Sequence, residues 1–159
     1  MVRIGIIGAA GLSGLELLHL LSRHSEATVK LVTSTKYQGK KVTEVFPELY
    51  QYSLTFNSNE TDVLGCDVVF LAVPNEASLA LVPKLLEQGI RVIDLSGAYR
   101  LADTKVFEKF YKLTHTYPEL LKEAVFGLPE FFREKIESAR LVANPGCYST
   151  CALLGILPL

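Results

Sequence analysis

Short apolar runs alternate along this chain with longer segments whose apolar residues recur at helical spacing. Val2–Ile7 is a compact run rich in β-branched residues, which suits a buried parallel strand. Gly11–Ser22 follows with leucines at 12, 15, 17, 18, 20 and 21, the pattern of a helix that buries a broad face. Strand character returns at Val29–Ser34. Val68–Val73 is the clearest buried strand, and Pro74 ends it. Glu76–Gln88 reads as a helix closed by Gly89, the residue type best suited to the left-handed position past a helix end. Val92–Leu95 and Arg140–Ala143 read as two further short strands. Strands alternating with helices predict an α/β fold, Rossmann-like and doubly wound, with a mostly parallel sheet and helices on both faces.

Two segments depart from that alternation. Ala98–Glu137 is rich in aromatic, proline and charged residues, and we expect short helices and loops wrapping the sheet edge. Every side chain from Ala152 to Leu159 is apolar or glycine, an ending that suggests a chain stopping just after the first domain of a longer protein; a buried terminal helix is the alternative. No internal repeat, low-complexity run or linker is visible.

Composition narrows the function without naming it. The chain has 159 residues, 49% of them hydrophobic, enough for one compact domain with its own core. With 16 basic and 17 acidic side chains it carries no basic excess that would point to nucleic acid, and no acidic tail. The N-terminus lacks the three-part pattern of a signal peptide, and no apolar run approaches the roughly 18 residues of a membrane span. The three cysteines, Cys66, Cys147 and Cys151, do not have the spacing of a disulfide framework, so reduced cytoplasmic thiols fit best. Cys147 and Cys151 have no histidine or further cysteine nearby, so no metal site is expected.

The first candidate site is Gly8-Ala9-Ala10-Gly11-Leu12-Ser13-Gly14, which follows a strand and opens a helix. Three glycines at this spacing let backbone approach a pyrophosphate. The helix N-terminus supplies amide donors and a positive dipole end. Gly8, Ala10, Gly11, Leu12, Ser13 and Gly14 are therefore the candidate contacts to a dinucleotide; a tight turn without a ligand is the bland alternative. An NAD site often carries a carboxylate at the end of the second strand. Here that strand runs into Thr33-Ser34-Thr35-Lys36, so Ser34 and Lys36 suit a 2′-phosphate and the expected cofactor is NADP. Pro74 is expected to add backbone contacts, and Ser96, just after the Val92–Leu95 strand, to lie on the cofactor side.

The second candidate is Cys147. A strand ends at Ala143, Pro145-Gly146 turns the chain, and a helix begins near the thiol. Helix N-termini favour the thiolate, which is the nucleophilic form. Cys66 and Cys151 read instead as small buried apolar residues. A thiol combined with a dinucleotide loop has a natural joint use: the thiolate forms a thioester, and a nicotinamide exchanges hydride with it. Arg100 is a candidate for binding a leaving phosphate through its planar donors, or else a structural partner of Asp94 or Asp103.

These motifs resemble the N-acetyl-γ-glutamyl-phosphate reductases of arginine biosynthesis. The likeness runs through Gly8–Leu17, Thr33-Ser34, Gly39-Lys40, Leu71–Pro74, Ile93–Leu101, Phe126–Glu130 and Asn144–Thr150, and the last string is the most specific. The resemblance implies that Cys147 is the nucleophile and that Arg100 and Asn144 contact N-acetylglutamyl phosphate. NADPH would reduce the resulting thioester to N-acetylglutamate 5-semialdehyde. It implies residues 1–147 as the NADP-binding domain and 148–159 as the start of the following helix. The family's second domain, with its histidine acid/base, would be absent, so the isolated fragment would be inactive. It further implies a cytoplasmic, homo-oligomeric complete enzyme. Asn75 stands where the family commonly has histidine, and Gly97-Ala98-Tyr99 stands where it commonly has Ala-Asp-Phe. Aspartate-semialdehyde dehydrogenase and the lysine-pathway acyl-phosphate reductases are the neighbouring alternatives; an NADP-binding module without chemistry is the alternative from another class.

Overall fold

The computed structural model describes residues 1–157 and separates into two compact units, Met1–Val73 and a second that begins at Pro74. Pro158 and Leu159, the last residues of the apolar ending and of the expected final segment, lie outside the described residues.

The first unit contains β1 (Val2–Ile7), α1 (Leu12–Leu21), β2 (Ala27–Val32), the short α2 (Val42–Val45) and β3 (Val68–Leu71). β1 is central and pairs in parallel with both β2 and β3. Its apolar run is buried from Ile4 to Ile7, as expected of a strand covered on two sides. The helix α1 is narrower in its burial than the leucine count suggested. Gly14 and Leu18 are its buried residues, while Leu12 and Leu20 are 91% and 62% exposed. The segment between β2 and β3, which the hydrophobic pattern left without elements, folds back on the same core. Phe56 is fully buried beside Tyr37 and Phe46, and the Tyr52 hydroxyl donates to the Leu18 carbonyl at 2.8 Å. Burial pushes the Tyr52 phenol up to about 12.

The second unit contains α3 (Asn75–Glu87), β4 (Arg91–Asp94), α4 (Thr104–Tyr111), α5 (Leu120–Glu123), β5 (Val125–Phe126), α6 (Pro129–Ser138), β6 (Leu141–Ala143) and α7 (Cys147–Ile156). β6 pairs in parallel with β4 and β5. The aromatic-rich stretch therefore supplies short helices, as expected, and also β5, an additional strand beside β6. Gly89 closes α3 at φ +76, as the sequence indicated. The final helix starts at Cys147, and none of its described residues is buried.

Candidate functional site

In the first unit the chain leaves β1 through a glycine turn whose amides are partly spoken for. The Gly8 N–H donates to Thr33 Oγ1 at 3.1 Å, Ala9 N–H to the Thr33 carbonyl at 2.9 Å, and Gly11 N–H to the Gly8 carbonyl at 3.2 Å. Gly11 caps α1 without any side-chain acceptor. Ala10, Leu12, Ser13 and Gly14 offer N–H groups with no hydrogen-bond partner among the described residues. Four such donors at the positive end of a ten-residue helix form an anion cradle.

The three glycines serve different ends. Gly8 sits at φ +84, and a Cβ there would overlap the Ala72 carbonyl oxygen. A Cβ on Gly14 would lie 2.5 Å from the Ala9 Cα. Both are demanded by the packing of the turn itself. A Cβ on Gly11 would meet only the Gly8 carbonyl oxygen, at an ordinary 3.6 Å. The protein's own sterics do not require glycine at 11, and the backbone there is open to the approach of another group.

Thr33 and Asn59 are supports that sequence reasoning missed as site residues. Thr33 Oγ1 accepts from Gly8, and its hydroxyl donates to Asn59 Oδ1; Asn59 Nδ2 donates to Thr35 Oγ1 at 3.1 Å. Thr33 lay within a quoted motif, but nothing in the sequence marked Asn59. Ser34 is buried, and its hydroxyl oxygen accepts from Tyr37 N–H at 3.2 Å. Lys36 is exposed, its ammonium 5.0 Å from the centre of the Tyr37 ring.

In the second unit Pro74 precedes α3 as its cap, three residues beyond the end of the strand it was expected to terminate. Asn75, the residue found in place of histidine, accepts from Gly97 N–H at 2.7 Å through its side-chain carbonyl. Gly97 lies under the Tyr111 ring, which a Cβ would strike. At the end of β4, the fully buried Asp94 accepts from Ser96 N–H at 3.0 Å and from the Ser96 hydroxyl at 2.8 Å. Burial raises the Asp94 carboxyl above its ordinary range, against the Ser96 bonds that favour its charge. Ser96, expected to face a cofactor, has its hydroxyl proton engaged by Asp94, and its oxygen accepts from Ala98 N–H at 3.1 Å.

Arg100 joins two strand ends. Its Nε donates to the Asn144 carbonyl at 2.7 Å and one terminal nitrogen to the Leu95 carbonyl at 2.6 Å. The side chain forms no ion pair with Asp94 or Asp103: Asp94 is bound by Ser96, and Asp103 caps α4 by accepting from Lys105 and Val106 N–H. The other terminal nitrogen, Nη1, forms no hydrogen bond among the described residues and lies 3.1 Å from where a Cβ on Gly146 would be. Asn144 donates its side-chain amide to the Pro145 carbonyl at 3.2 Å and its backbone N–H to the Asp94 carbonyl at 2.8 Å. Gly146 caps α7 with no side-chain acceptor, and Cys147, the first helical residue, is exposed. Cys66 is buried, as read from the sequence, but Cys151 is exposed and not the packed apolar residue expected.

The family described as semialdehyde dehydrogenase, NAD binding domain, matches residues 3–139 of this sequence. The chain belongs to that family. Membership in the semialdehyde dehydrogenase NAD-binding family makes the first unit's cradle part of an NAD(P)-binding fold. Its curated relatives include the N-acetyl-gamma-glutamyl-phosphate reductase of Nitrosospira multiformis, 47% identical over the whole chain, which covers 47% of that relative. The enzyme of the same name from Leptospira borgpetersenii is 50% identical over 98% of the chain and 46% of the relative. The chain thus spans about half the length of the curated relatives it matches. Among solved structures, Candida albicans aspartate semialdehyde dehydrogenase with NADP shares the fold at TM-score 0.70 and 20% identity, over 99% of this chain and 46% of that one. The Vibrio cholerae aspartate semialdehyde dehydrogenase II complexed with ASA matches at TM-score 0.68 and 22% identity, over 98% and 45%.

Proposed function

We propose that this chain is the cofactor-binding part of an NADPH-dependent reductase that converts N-acetyl-γ-glutamyl phosphate to the 5-semialdehyde and phosphate. The observation that carries the chemistry is the junction at Gly146: the exposed Cys147 opens α7 directly after it, and Arg100 Nη1, without a hydrogen-bond partner among the described residues, lies against Gly146 itself. A cation next to the positive end of a helix dipole is unfavourable by itself, and an anion placed there reverses the sign. An acyl phosphate brings that anion. Arg100 would hold the phosphate through Nη1 while its other nitrogens keep the β4 and β6 ends in place. Asn144 would contribute as part of that frame.

In the reaction the Cys147 thiolate attacks the acyl carbon, the carbon–oxygen bond to phosphate breaks, and a thioester on Cys147 remains. A nicotinamide cofactor, when bound, would supply a hydride to the acyl carbon; the carbon–sulfur bond to Cys147 then breaks, which releases the semialdehyde and restores the thiolate. The cradle formed by Ala10, Gly11, Leu12, Ser13 and Gly14, with Gly8 shaping its turn, would hold the pyrophosphate. Ser34 and Lys36 would select NADP, because a 2′-phosphate meets a cation and no carboxylate there. Pro74 and Ser96 would give backbone contacts only, since the Ser96 hydroxyl is already engaged. Residues 1–147 form the cofactor domain in this reading, with 148 onward leading into the rest of a homo-oligomeric, cytoplasmic enzyme whose acid/base lies outside this chain.

Titration with NADPH and NADH, combined with mass mapping of iodoacetamide labelling, tests the proposal. NADPH is expected to bind more tightly. Cys147 is expected to label faster than Cys151, the other exposed thiol, and Cys66 last. Cys147→Ser in the full-length enzyme should lower turnover by about a thousandfold or more. Equal labelling of Cys147 and Cys151, or turnover that survives the serine substitution, would sink it.

A further inference from the structure

Cys147 and Cys151 stand one helical turn apart in α7, a spacing that puts both side chains on one side of the helix. Both thiols are exposed, while Cys66 is buried. Side chains at this spacing have Cβ atoms about 5–6 Å apart, and a disulfide draws them to about 3.5–4.5 Å. Closing that gap requires only the first turn of α7 to yield. Cys147 is the first helical residue, so its own N–H has no intrahelical partner to lose. At its start the turn is anchored on the Gly146 carbonyl, which receives Thr150 N–H at 2.9 Å, the Thr150 hydroxyl at 3.0 Å and the Ser149 hydroxyl at 2.8 Å, and the next helical bond, from Cys151 N–H to the Cys147 carbonyl, would also have to yield. None of the described residues of α7 is buried, so loosening these bonds disrupts no fully buried side chain of the helix.

We propose that Cys151 is a resolving thiol for Cys147, so that a hydroperoxide converts the pair into an intrahelical disulfide and reversibly withdraws the nucleophile. The inference rests on the reading of Cys147 as that nucleophile. In the first step the Cys147 thiolate attacks the peroxide; a sulfur–oxygen bond forms and the oxygen–oxygen bond breaks. The sulfur loses two electrons, and the leaving oxygen takes a proton as water or alcohol. In the second step Cys151 attacks the sulfenic sulfur. The sulfur–sulfur bond forms, the sulfur–oxygen bond breaks, and the departing hydroxide leaves as water with the Cys151 proton. A dithiol reductant restores both thiols by exchange. Cys151 would thereby spare Cys147 the irreversible sulfinic stage.

The test exposes the protein to hydrogen peroxide, blocks the remaining thiols with iodoacetamide, and maps the peptides. The expected product is a single peptide containing Cys147 and Cys151, two hydrogens lighter than the reduced form and restored by dithiothreitol. Cys151→Ser should instead give a dimedone-trapped sulfenic acid at Cys147 and severalfold more sulfinic acid than the parent. Equal sulfinic acid at Cys147 in both proteins, or a disulfide found only between two chains on a non-reducing gel, overturns the proposal. Acylation of Cys147 by N-acetyl-γ-glutamyl phosphate is followed separately in the parent and the Cys151→Ser protein. Its presence upholds the nucleophile whichever way oxidation runs; its absence in both proteins removes the nucleophile without altering the peptide result.

Discussion

Two strand-to-helix junctions in this chain look alike and are held in different ways. β1 passes to α1 through Gly11, and β6 passes to α7 through Gly146; neither glycine supplies a side-chain cap. By contrast α4, which has no proposed role, is capped by its own Asp103. A helix start that its own side chain satisfies has little left to offer a ligand, whereas these two starts, uncapped like those of α2, α3, α5 and α6, keep their donors. The first junction presents only backbone and is braced by neutral groups, Thr33 and Asn59. The second presents a thiol and is braced by charged or titratable groups: Arg100 on two carbonyls, Asp94 beneath Ser96, and His115 on the Ala98 carbonyl. The contrast suits a site that holds a fixed charge on one hand and a site that handles changing charge on the other.

The largest effect should come from glycine substitutions at the first junction. Gly8→Ala and Gly14→Ala each force a Cβ into backbone atoms, and Gly8 has a positive φ besides. Each is expected to cost about 2–4 kcal/mol of stability, read as a fall in thermal midpoint. Gly11→Ala should cost less than about 1 kcal/mol yet weaken NADPH binding, because its Cβ enters only the space assigned to the ligand. If Gly11→Ala binds NADPH as the parent does, the cradle is a turn and nothing more.

These distinctions were only partly legible in the amino-acid sequence. β1 was read to the residue and β6 to within one, because a buried parallel strand is a continuous apolar run and needs no partner to be recognised. β5 has two residues, too few to show a period of two, and exists because β6 offers it an edge. The segment around Tyr52 and Phe56 showed no period, since tertiary burial and not repeat spacing organises it. The glycine loop and Cys147 were visible as motifs. Their supports were not: the carboxylate partner considered for Arg100 is replaced by main-chain carbonyls, which every residue carries and no sequence pattern marks. Cys151 was misplaced because spacing fixes which side of a helix a residue occupies but not whether that side is covered.

A smaller effect separates the two cofactors. Lys36 is the one cation in the Thr33–Lys36 segment, and its ammonium rests over Tyr37 with no carboxylate partner among the described residues. Lys36→Ala is expected to weaken NADPH binding by about tenfold, the scale of one charge-assisted hydrogen bond, and to leave NADH binding nearly unchanged. Parallel losses for both cofactors would assign Lys36 to the general charge of the surface and remove the argument for NADP.

The smallest effect concerns the titratable brace of the second junction. His115 is buried in T-shaped contact with Tyr99 and Phe107, with ring centres 5.1 Å away in each case. Its Nδ1 accepts from Tyr117 N–H at 3.2 Å, so the neutral ring carries its proton on Nε2 and donates to the Ala98 carbonyl at 3.1 Å. Burial lowers the His115 pKa, opposed by the Ala98 bond and by Glu119. Protonation would leave Nδ1 with a proton facing the Tyr117 N–H. A group whose folded pKa is depressed contributes stability in full above its unfolded value, near 6.5, and loses it as the pH falls from there toward the folded value. Asp94 acts with the opposite sign, because its folded pKa is raised: its contribution grows as the pH falls. The parent's thermal midpoint alone would therefore mix the two slopes. His115→Gln retains a donor for the Ala98 carbonyl and has nothing to titrate. The difference between parent and variant midpoints, followed from pH 7.5 down to 5, should shift steadily against the parent. A constant difference across that range would show that His115 packs without titrating, and the second junction would then be braced as indifferently to pH as the first.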